Sequence, residues 1–182
     1  MLFNLHLFGR MAVRYDQGPM EFDQIDSQIL CALDSDPRKP GVALSDHLGL
    51  ARGTIQAHLS RLETQGLLRP HSTRAFPEKL GYRISAMISA DLDQTELESV
   101  VATLQDMPEV LEAFATSGDQ DILVRVAAVD TDHLYLIGQR LLRNPGVRRT
   151  RTTLVLRELV PYRVRPLLEA RATGSRVNDK LG

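Results

Sequence analysis

The chain has one cysteine, Cys31, no surplus of positive charge and no long apolar run. A single cysteine excludes an internal disulfide and any zinc or iron–sulfur site built from several thiolates, and it fits a reducing cytoplasm. The formal net charge of -1 means that no global field attracts nucleic acid, so any DNA contact has to come from a local patch. Met1–Phe8 is apolar but far short of the roughly 20 residues that a membrane helix needs. With no positive residues ahead of it, the stretch does not read as a signal peptide either. Arg10, Arg14 and Gly18-Pro19 follow, and Met20 can itself be a start, so residues 1–19 are expected to be a flexible arm or start-site extension. An arm that packs on a partner subunit is the alternative.

Catalytic signatures are equally scarce. His6, His47, His58, His71 and His133 fall on different elements without metal-ligand spacing, so they read as isolated surface or helix-face histidines and no metal is expected. Cys31, beside Leu30 and Leu33, reads as a small core residue rather than a nucleophile. No nucleophile elbow, P-loop or dinucleotide glycine fingerprint occurs, which removes the usual support for acyl, phosphoryl or hydride transfer and for any cofactor. What the chain does have is 43% hydrophobic and 25% charged residues, ordinary for a globular protein of one large or two small domains.

The first periodic segment runs from Asp23 to Leu33, where Ile25, Ile29 and Leu33 form an apolar stripe and Asp26, Ser27, Gln28 and Asp34 take the other side. Asp36-Pro37 and Pro40-Gly41 break it. A short helix over Ala43–Leu48 is ended by Gly49, and a third begins near Ala51 with Ile55, Leu59 and Leu62 inward. Three short helices, the last two joined at a glycine turn, match a helix-turn-helix, in which the last helix enters the major groove. Small Ser45, four residues before Gly49, suits a close helix crossing. The outward face of the third helix carries Arg52, Thr54, Gln56, His58 and Arg61. Arg52 can contact guanine, Gln56 adenine edges and Thr54 phosphate or thymine, with His58 and Arg61 directed to bases or backbone. A solvated polar face is the bland alternative. Weak affinity per domain would be offset by a dimer holding two reading helices roughly 34 Å apart.

Residues 67–81 read as an extended linker or hinge through Phe76-Pro77. Beyond it the period changes. Ile84, Ala86, Ile88, Ala90 and Leu92 alternate with Ser85, Met87, Ser89 and Asp91, as in a strand buried on one face. Asp93 and Glu96 have capping-box spacing before a helix with Leu97, Val100, Val101 and Leu104 on one side. Val110–Thr116 and Ile122–Val129 read as a hairpin, Thr131 as the cap of a helix with Leu134, Ile137 and Leu141 inward, and Val147–Val160 as the last strand. The order β-α-β-β-α-β is that of a ferredoxin-like sandwich. A short repeat agrees: Leu104-x-x-x-Pro108-x-Val110 and Leu141-x-x-x-Pro145-x-Val147 both mark a helix stopping and a strand starting.

The hairpin Ser117-Gly118-Asp119-Gln120-Asp121 is the candidate for ligand recognition, since turn amides can meet an α-carboxylate and an aspartate can meet an ammonium. The alternative is ordinary turn punctuation. From Arg143 to Arg176 the chain carries nine arginines against Glu158 and Glu169. This basic region can pair with acidic surfaces in a subunit interface, touch wrapped DNA or stay solvated.

Four segments carry a family resemblance: FDQIDSQIL, LSDHLGLARGTIQAHLSRLETQGLL, PEVLEAFATSGDQD and NPGVRRTRTTLVL. In order and spacing they resemble the Lrp/AsnC, or feast/famine, transcriptional regulators of bacteria and archaea over about residues 21–160. The resemblance implies a winged helix-turn-helix at 20–66 and a ferredoxin-like effector-binding and oligomerisation domain at 82–162, while the arginine-rich residues 163–182 read as a basic C-terminal tail. It also implies double-stranded DNA as partner, homodimers built through the sheets that assemble to octamers of four dimers, and an amino acid or related small-molecule effector bound between dimers. A cytoplasmic, nucleoid-associated protein without membrane contact follows. By position, the DNA-binding residues are Arg52, Gly53, Thr54, Gln56, His58 and Arg61, and the effector-binding residues Ser117, Gly118, Asp119, Asp121, Thr150 and Thr152. Ala51 stands where the family commonly has a serine cap, worth about 1 kcal/mol. Gln120 replaces a common aromatic and His58 a frequent arginine, so the His58 phosphate contact is expected to strengthen as pH falls. An architectural, low-specificity DNA wrapper is the alternative function, and a ferredoxin-like metabolic enzyme the less supported one.

Overall fold

A computed structural model describes residues 22–173, so the arm expected at 1–19 lies outside the described residues. The chain divides into two compact units, one formed by residues up to 68 together with those from 162 onward, the other by 69–161.

The first unit opens with helix α1 (Gln24–Ser35). Its N-terminus is closed reciprocally: Asp23 Oδ1 accepts from the Asp26 amide and Asp26 Oδ2 accepts from the Asp23 amide, both at 2.9 Å. Such a box satisfies amides that the helix itself leaves without partners. Helix α2 (Gly41–Leu48) ends at Gly49, whose φ of 66° lies in the left-handed region that side chains with a Cβ avoid. There the Ser45 hydroxyl donates to the Leu50 carbonyl, which ties down the turn. Helix α3 (Arg52–Thr64) follows, without a side-chain cap at Ala51. Ile29, Ala32, Leu44 and Ile55 form the core, with Ile25, Leu33, Leu48, Leu50 and Leu59 packed against it.

Two features depart from the pattern in the sequence. Asp26 and Ser27, expected on the polar side of α1, are completely buried. The segment expected as a basic tail contains a helix, which belongs to this unit and packs antiparallel on α1 (residues Arg165–Ala172, labelled α6 below). At one end Arg165 pairs with Asp34 at 3.2 Å and donates to the Ser35 hydroxyl. At the other, Gln24 donates to the Ala172 carbonyl at 2.7 Å and the Arg171 guanidinium lies over the Phe22 ring. Half-buried Cys31 has its thiol pushed up by burial, as expected of a packing residue rather than a reactive one.

The second unit begins with two turns of 3-10 helix, His71–Arg74 and Pro77–Leu80, where an extended linker was expected. Pro70 and Pro77, each at the mouth of a turn with φ already fixed, favour these compact turns over an extended ladder. Then come β1 (Ile84–Leu92), α4 (Leu97–Gln105), β2 (Val110–Ala115), β3 (Ile122–Ala128), α5 (Thr131–Leu142) and β4 (Val147–Leu154). The sheet order is β2-β3-β1-β4, antiparallel throughout, which is the ferredoxin-like arrangement. Val100 and Leu104 of α4 and Leu134, Ile137 and Leu141 of α5 pack on Ala86, Ile88 and Ala90 of β1 and Val124 and Val126 of β3. Ser85, Met87, Ser89 and Asp91 therefore occupy the opposite, open face of β1.

The repeated helix-stop signal forms as expected, with α4 ending just before Pro108 and α5 just before Pro145. The second junction is bolted down. Asn144 donates to the Ser99 carbonyl and hydroxyl and to the Thr103 hydroxyl, and it accepts from the Gly146 amide. A Cβ on Gly146 would lie 2.5 Å from the Cβ of Glu96 and 2.9 Å from Val100, so only glycine lets β4 pass α4 this closely. Three local expectations are corrected. Asp93 caps the Thr95 amide of a short 3-10 turn instead of forming a box with Glu96, and the cap of α5 is Asp130, not Thr131. The last strand ends at Leu154, after which Val155 still donates to the Ser85 carbonyl.

Candidate nucleic-acid interface and effector face

Helix α3 docks through Ile55 and Leu62, both essentially inaccessible, with Leu59 between them. That stripe leaves Arg52, Gly53 and Gln56 exposed and Thr54 half-buried on the N-terminal half of the helix. Arg52 and Gln56 lie four residues apart, on one face, so their donors can reach one groove together.

The C-terminal half behaves differently. His58 Nδ1 donates to Asp26 Oδ1 at 2.8 Å, and the Arg61 guanidinium pairs with Asp26 and, at 3.1 Å, with Asp23. His58 is 14% and Arg61 26% exposed, so in this structure both side chains are turned toward α1, where bases or phosphates had been expected as their partners. The reason is the buried carboxylate of Asp26, which has to be compensated where it lies. Burial alone would push the Asp26 carboxyl up. Hydrogen bonds from Arg61, from the Asp23 amide and from His58, together with the charge of Arg61, outweigh this and hold it below the ordinary carboxylate range. Asp23, Asp26 and His58 place three ligand-type atoms within 4.8 Å of one another, but the Arg61 guanidinium already serves as their cation. Sequence reasoning missed Asp26 because its partners sit on another helix. The D-x-x-D spacing is a signal that could have revealed the cap, whereas no local pattern signals the pairing.

In the second unit the residues expected to bind effector divide into three groups. Ser117, Gly118 and Asp119 form the exposed turn of the β2–β3 hairpin. Asp121 is committed internally: its Oδ2 accepts from the Leu92 amide at 2.7 Å and its Oδ1 from Gln94 at 2.8 Å, so it staples the hairpin to the end of β1. Both of its oxygens thus accept hydrogen bonds from within the unit. Thr150 and Thr152 pair with Ala90 and Ile88 of β1 and so share the face that carries the helices. Ala90 links two of these groups, since its carbonyl accepts from the Asp121 amide and its other neighbour is Thr150.

One histidine is also less isolated than its spacing suggested. The Val129 amide donates to His133 Nδ1, leaving Nε2 to donate to Glu109 Oε1 at 3.1 Å, while Arg140 pairs with the other oxygen of Glu109 at 2.7 Å. Burial raises the Glu109 carboxyl, but its own backbone amide, His133 and Arg140 bring it below the usual range. Among the described residues no helix is long and apolar enough to cross a membrane.

A helix-turn-helix whose last helix keeps an exposed half, followed by a separate four-stranded sheet domain, is the architecture of a DNA-binding protein with an accessory α/β domain. Comparison with known proteins makes this specific. Residues 22–69 match the winged helix-turn-helix DNA-binding model and residues 85–164 the Lrp/AsnC ligand binding domain model. The HTH-type transcriptional regulator AldR of Mycolicibacterium smegmatis is 32% identical over 76% of this chain and 84% of its own. The leucine-responsive regulatory protein of Salmonella typhimurium is 32% identical over 76% of this chain and 87% of its own. A transcriptional regulator of Neisseria meningitidis solved in complex with L-Met superposes with a TM-score of 0.69 at 26% identity, covering 80% of this chain and 98% of that one. Escherichia coli AsnC shares the fold with a TM-score of 0.73 at 24% identity, covering 81% of this chain and all of its own. The chain belongs to the Lrp/AsnC family of transcriptional regulators, in which the matched relatives are named as regulators and not as enzymes.

Proposed function

We propose that the protein is a homo-oligomeric transcription regulator that reads operator DNA through the N-terminal half of α3 and changes its DNA affinity when the second unit binds an amino acid or a closely related metabolite. Arg52, Gly53, Thr54 and Gln56 make the DNA contacts. The observation that carries this is the division of α3, whose apolar stripe docks while Arg52 and Gln56 stay exposed. Dimers formed through the open sheet face, and octamers built from them, would supply the second reading helix that a chain of net charge -1 needs. The L-Met complex of the Neisseria relative supports an amino acid as the kind of effector. The hairpin turn Ser117-Gly118-Asp119, with Thr150 and Thr152, remains the proposed surroundings of that ligand. Substituting Arg52 and Gln56 together by alanine should abolish operator-specific retardation and leave the melting temperature unchanged. Operator affinity that survives this change would remove the assignment.

Exposed Arg149, Arg151 and Arg157 give the DNA-wrapping alternative its one specific support. It requires long footprints with little sequence preference. Short, discrete footprints would exclude it.

A further inference from the structure

The two helices that cover the sheet turn unlike surfaces outward. Val100 and Leu104 anchor α4, whose exposed positions are Glu98, Ala102 and Gln105. Leu134, Ile137 and Leu141 anchor α5, yet on its outer side Tyr135 is 65%, Leu136 58% and Leu142 39% exposed. At 3.6 residues per turn Tyr135 and Leu142 fall on the same side, and Leu136 adjoins them, so the three form one patch rather than scattered exceptions. A helix packed on its own sheet needs a single apolar stripe, and α5 has a second.

The charges at the two ends of this second stripe match a copy of the same helix. Asp132, Leu136, Gln139 and Arg143 follow one another at helical spacing and form one outer ridge. Asp132 lies in the first turn and Arg143 is the C-cap, about 16 Å apart at 1.5 Å per residue. Both are exposed, and neither forms an ion pair with any described residue. When two such helices lie antiparallel about a twofold axis midway between Ile137 and Gly138, Asp132 meets the partner's Arg143 and Leu136 meets the partner's Gln139. The same arrangement sets the positive end of each helix dipole beside the negative end of the other.

We propose that the outer ridge of α5 is a contact between copies of this chain, in which α5 of one copy packs antiparallel on α5 of another. Tyr135 and Leu136 supply its apolar centre, and Asp132 and Arg143 pair at both ends. Helices cover one face of the sheet and leave the other open, so one chain can make this contact and a sheet-to-sheet contact at the same time. A pair of three-turn helices buries less than the roughly 1,000 Å² that holds free chains together. It therefore acts between dimers already formed, each of which offers two ridges and so gains from multivalency. This rests on the reading that dimers form through the sheets, and it names the surface by which one dimer joins the next.

The test is the mass of the full chain by size-exclusion chromatography with light scattering, with melting temperature measured in parallel. Wild type should be larger than a dimer, and Leu136→Glu should reduce it to dimers without changing the melting temperature, since the side chain is exposed. Asp132→Arg and Arg143→Asp should each weaken the joining of dimers by about tenfold, because the twofold axis sets like charges together at both ends. Combining the two should restore the wild-type mass. Within one chain these residues are too far apart to compensate each other, so that recovery requires the antiparallel pair. A double variant no better than the single ones would overturn the inference. Wild type that stays dimeric at every concentration, or Leu136→Glu that keeps a larger wild-type mass, would remove this contact and leave the sheet dimer standing. A strictly monomeric chain would remove both. Should Leu136→Glu leave the mass unchanged but destabilise the full chain, and not one starting at Met20, residues 1–19 would be the occupant of the ridge and the inference would fail.

Discussion

The two halves of α3 contain similar residues and use them in opposite ways. Arg52 and Gln56 are exposed above the turn, whereas His58 and Arg61, one to two turns on, are drawn into a charge network with α1. The difference lies in what α1 presents. Its N-terminus offers Asp26, fully buried, and a buried carboxylate recruits whatever cations lie within reach. A basic residue on a recognition helix is therefore not automatically a DNA contact.

Removing the carboxylate breaks the comparison most severely. Asp26→Ala leaves Arg61 and His58 half-buried without their partner and removes half of the capping box. A loss of about 3 kcal/mol in folding stability is expected in chemical denaturation. Arg52→Ala is the counterpart on the exposed half. It should cost about 1–3 kcal/mol in operator binding and relax preference at one base position, with stability changed by no more than about 0.5 kcal/mol. Binding assays over a panel of single-base operator variants would separate the two. Smaller again is the effect of pH on binding. With His58 engaged by Asp26, operator affinity of the parent protein and of His58→Gln should show the same profile between pH 6 and 8. A parent-only rise in affinity toward pH 6 would return His58 to the phosphate backbone.

The smallest effect near neutrality is acid sensitivity. The Asp26 carboxyl is held below its ordinary 3.8, so its ionised form stabilises the folded unit at every pH above that value. This contribution is lost as pH falls below 3.8. Asp26→Asn should therefore show a shallower decline of stability on the acid side than the parent, and equal slopes would mean that the network contributes nothing through charge.

Much of this molecule was legible in advance because its signals are local. Alternation in β1, the four-residue spacing of Ile25, Ile29 and Leu33, the turn at Gly49 and the doubled Leu-x-x-x-Pro-x-Val signal each report a conformation set by nearest neighbours. What escaped depends on distant partners or on single hydrogen bonds. Asp26 reads as polar surface until α3 is laid beside it, and Asp121 as a ligand group until the Leu92 amide is seen to claim it. Asp130 captured the cap expected at Thr131 because the chain enters α5 one residue earlier. Of the candidate sites, the N-terminal half of α3 followed from helical periodicity. That Thr150 and Thr152 share the face of the helices required the strand register, which no single segment contains.

Helix α6 has a consequence for how the molecule comes into being. Arg165 meets Asp34 across 131 positions of sequence, so the unit that holds the reading helix is not complete when its own three helices have been made. A chain growing from a ribosome has to extend through the entire sheet domain before α1 receives its last neighbour, and a contact of such long range forms late and slowly. A version ending at Pro161 would keep every strand and the reading helix, yet expose the flank of α1, where proteases and aggregation would find it first.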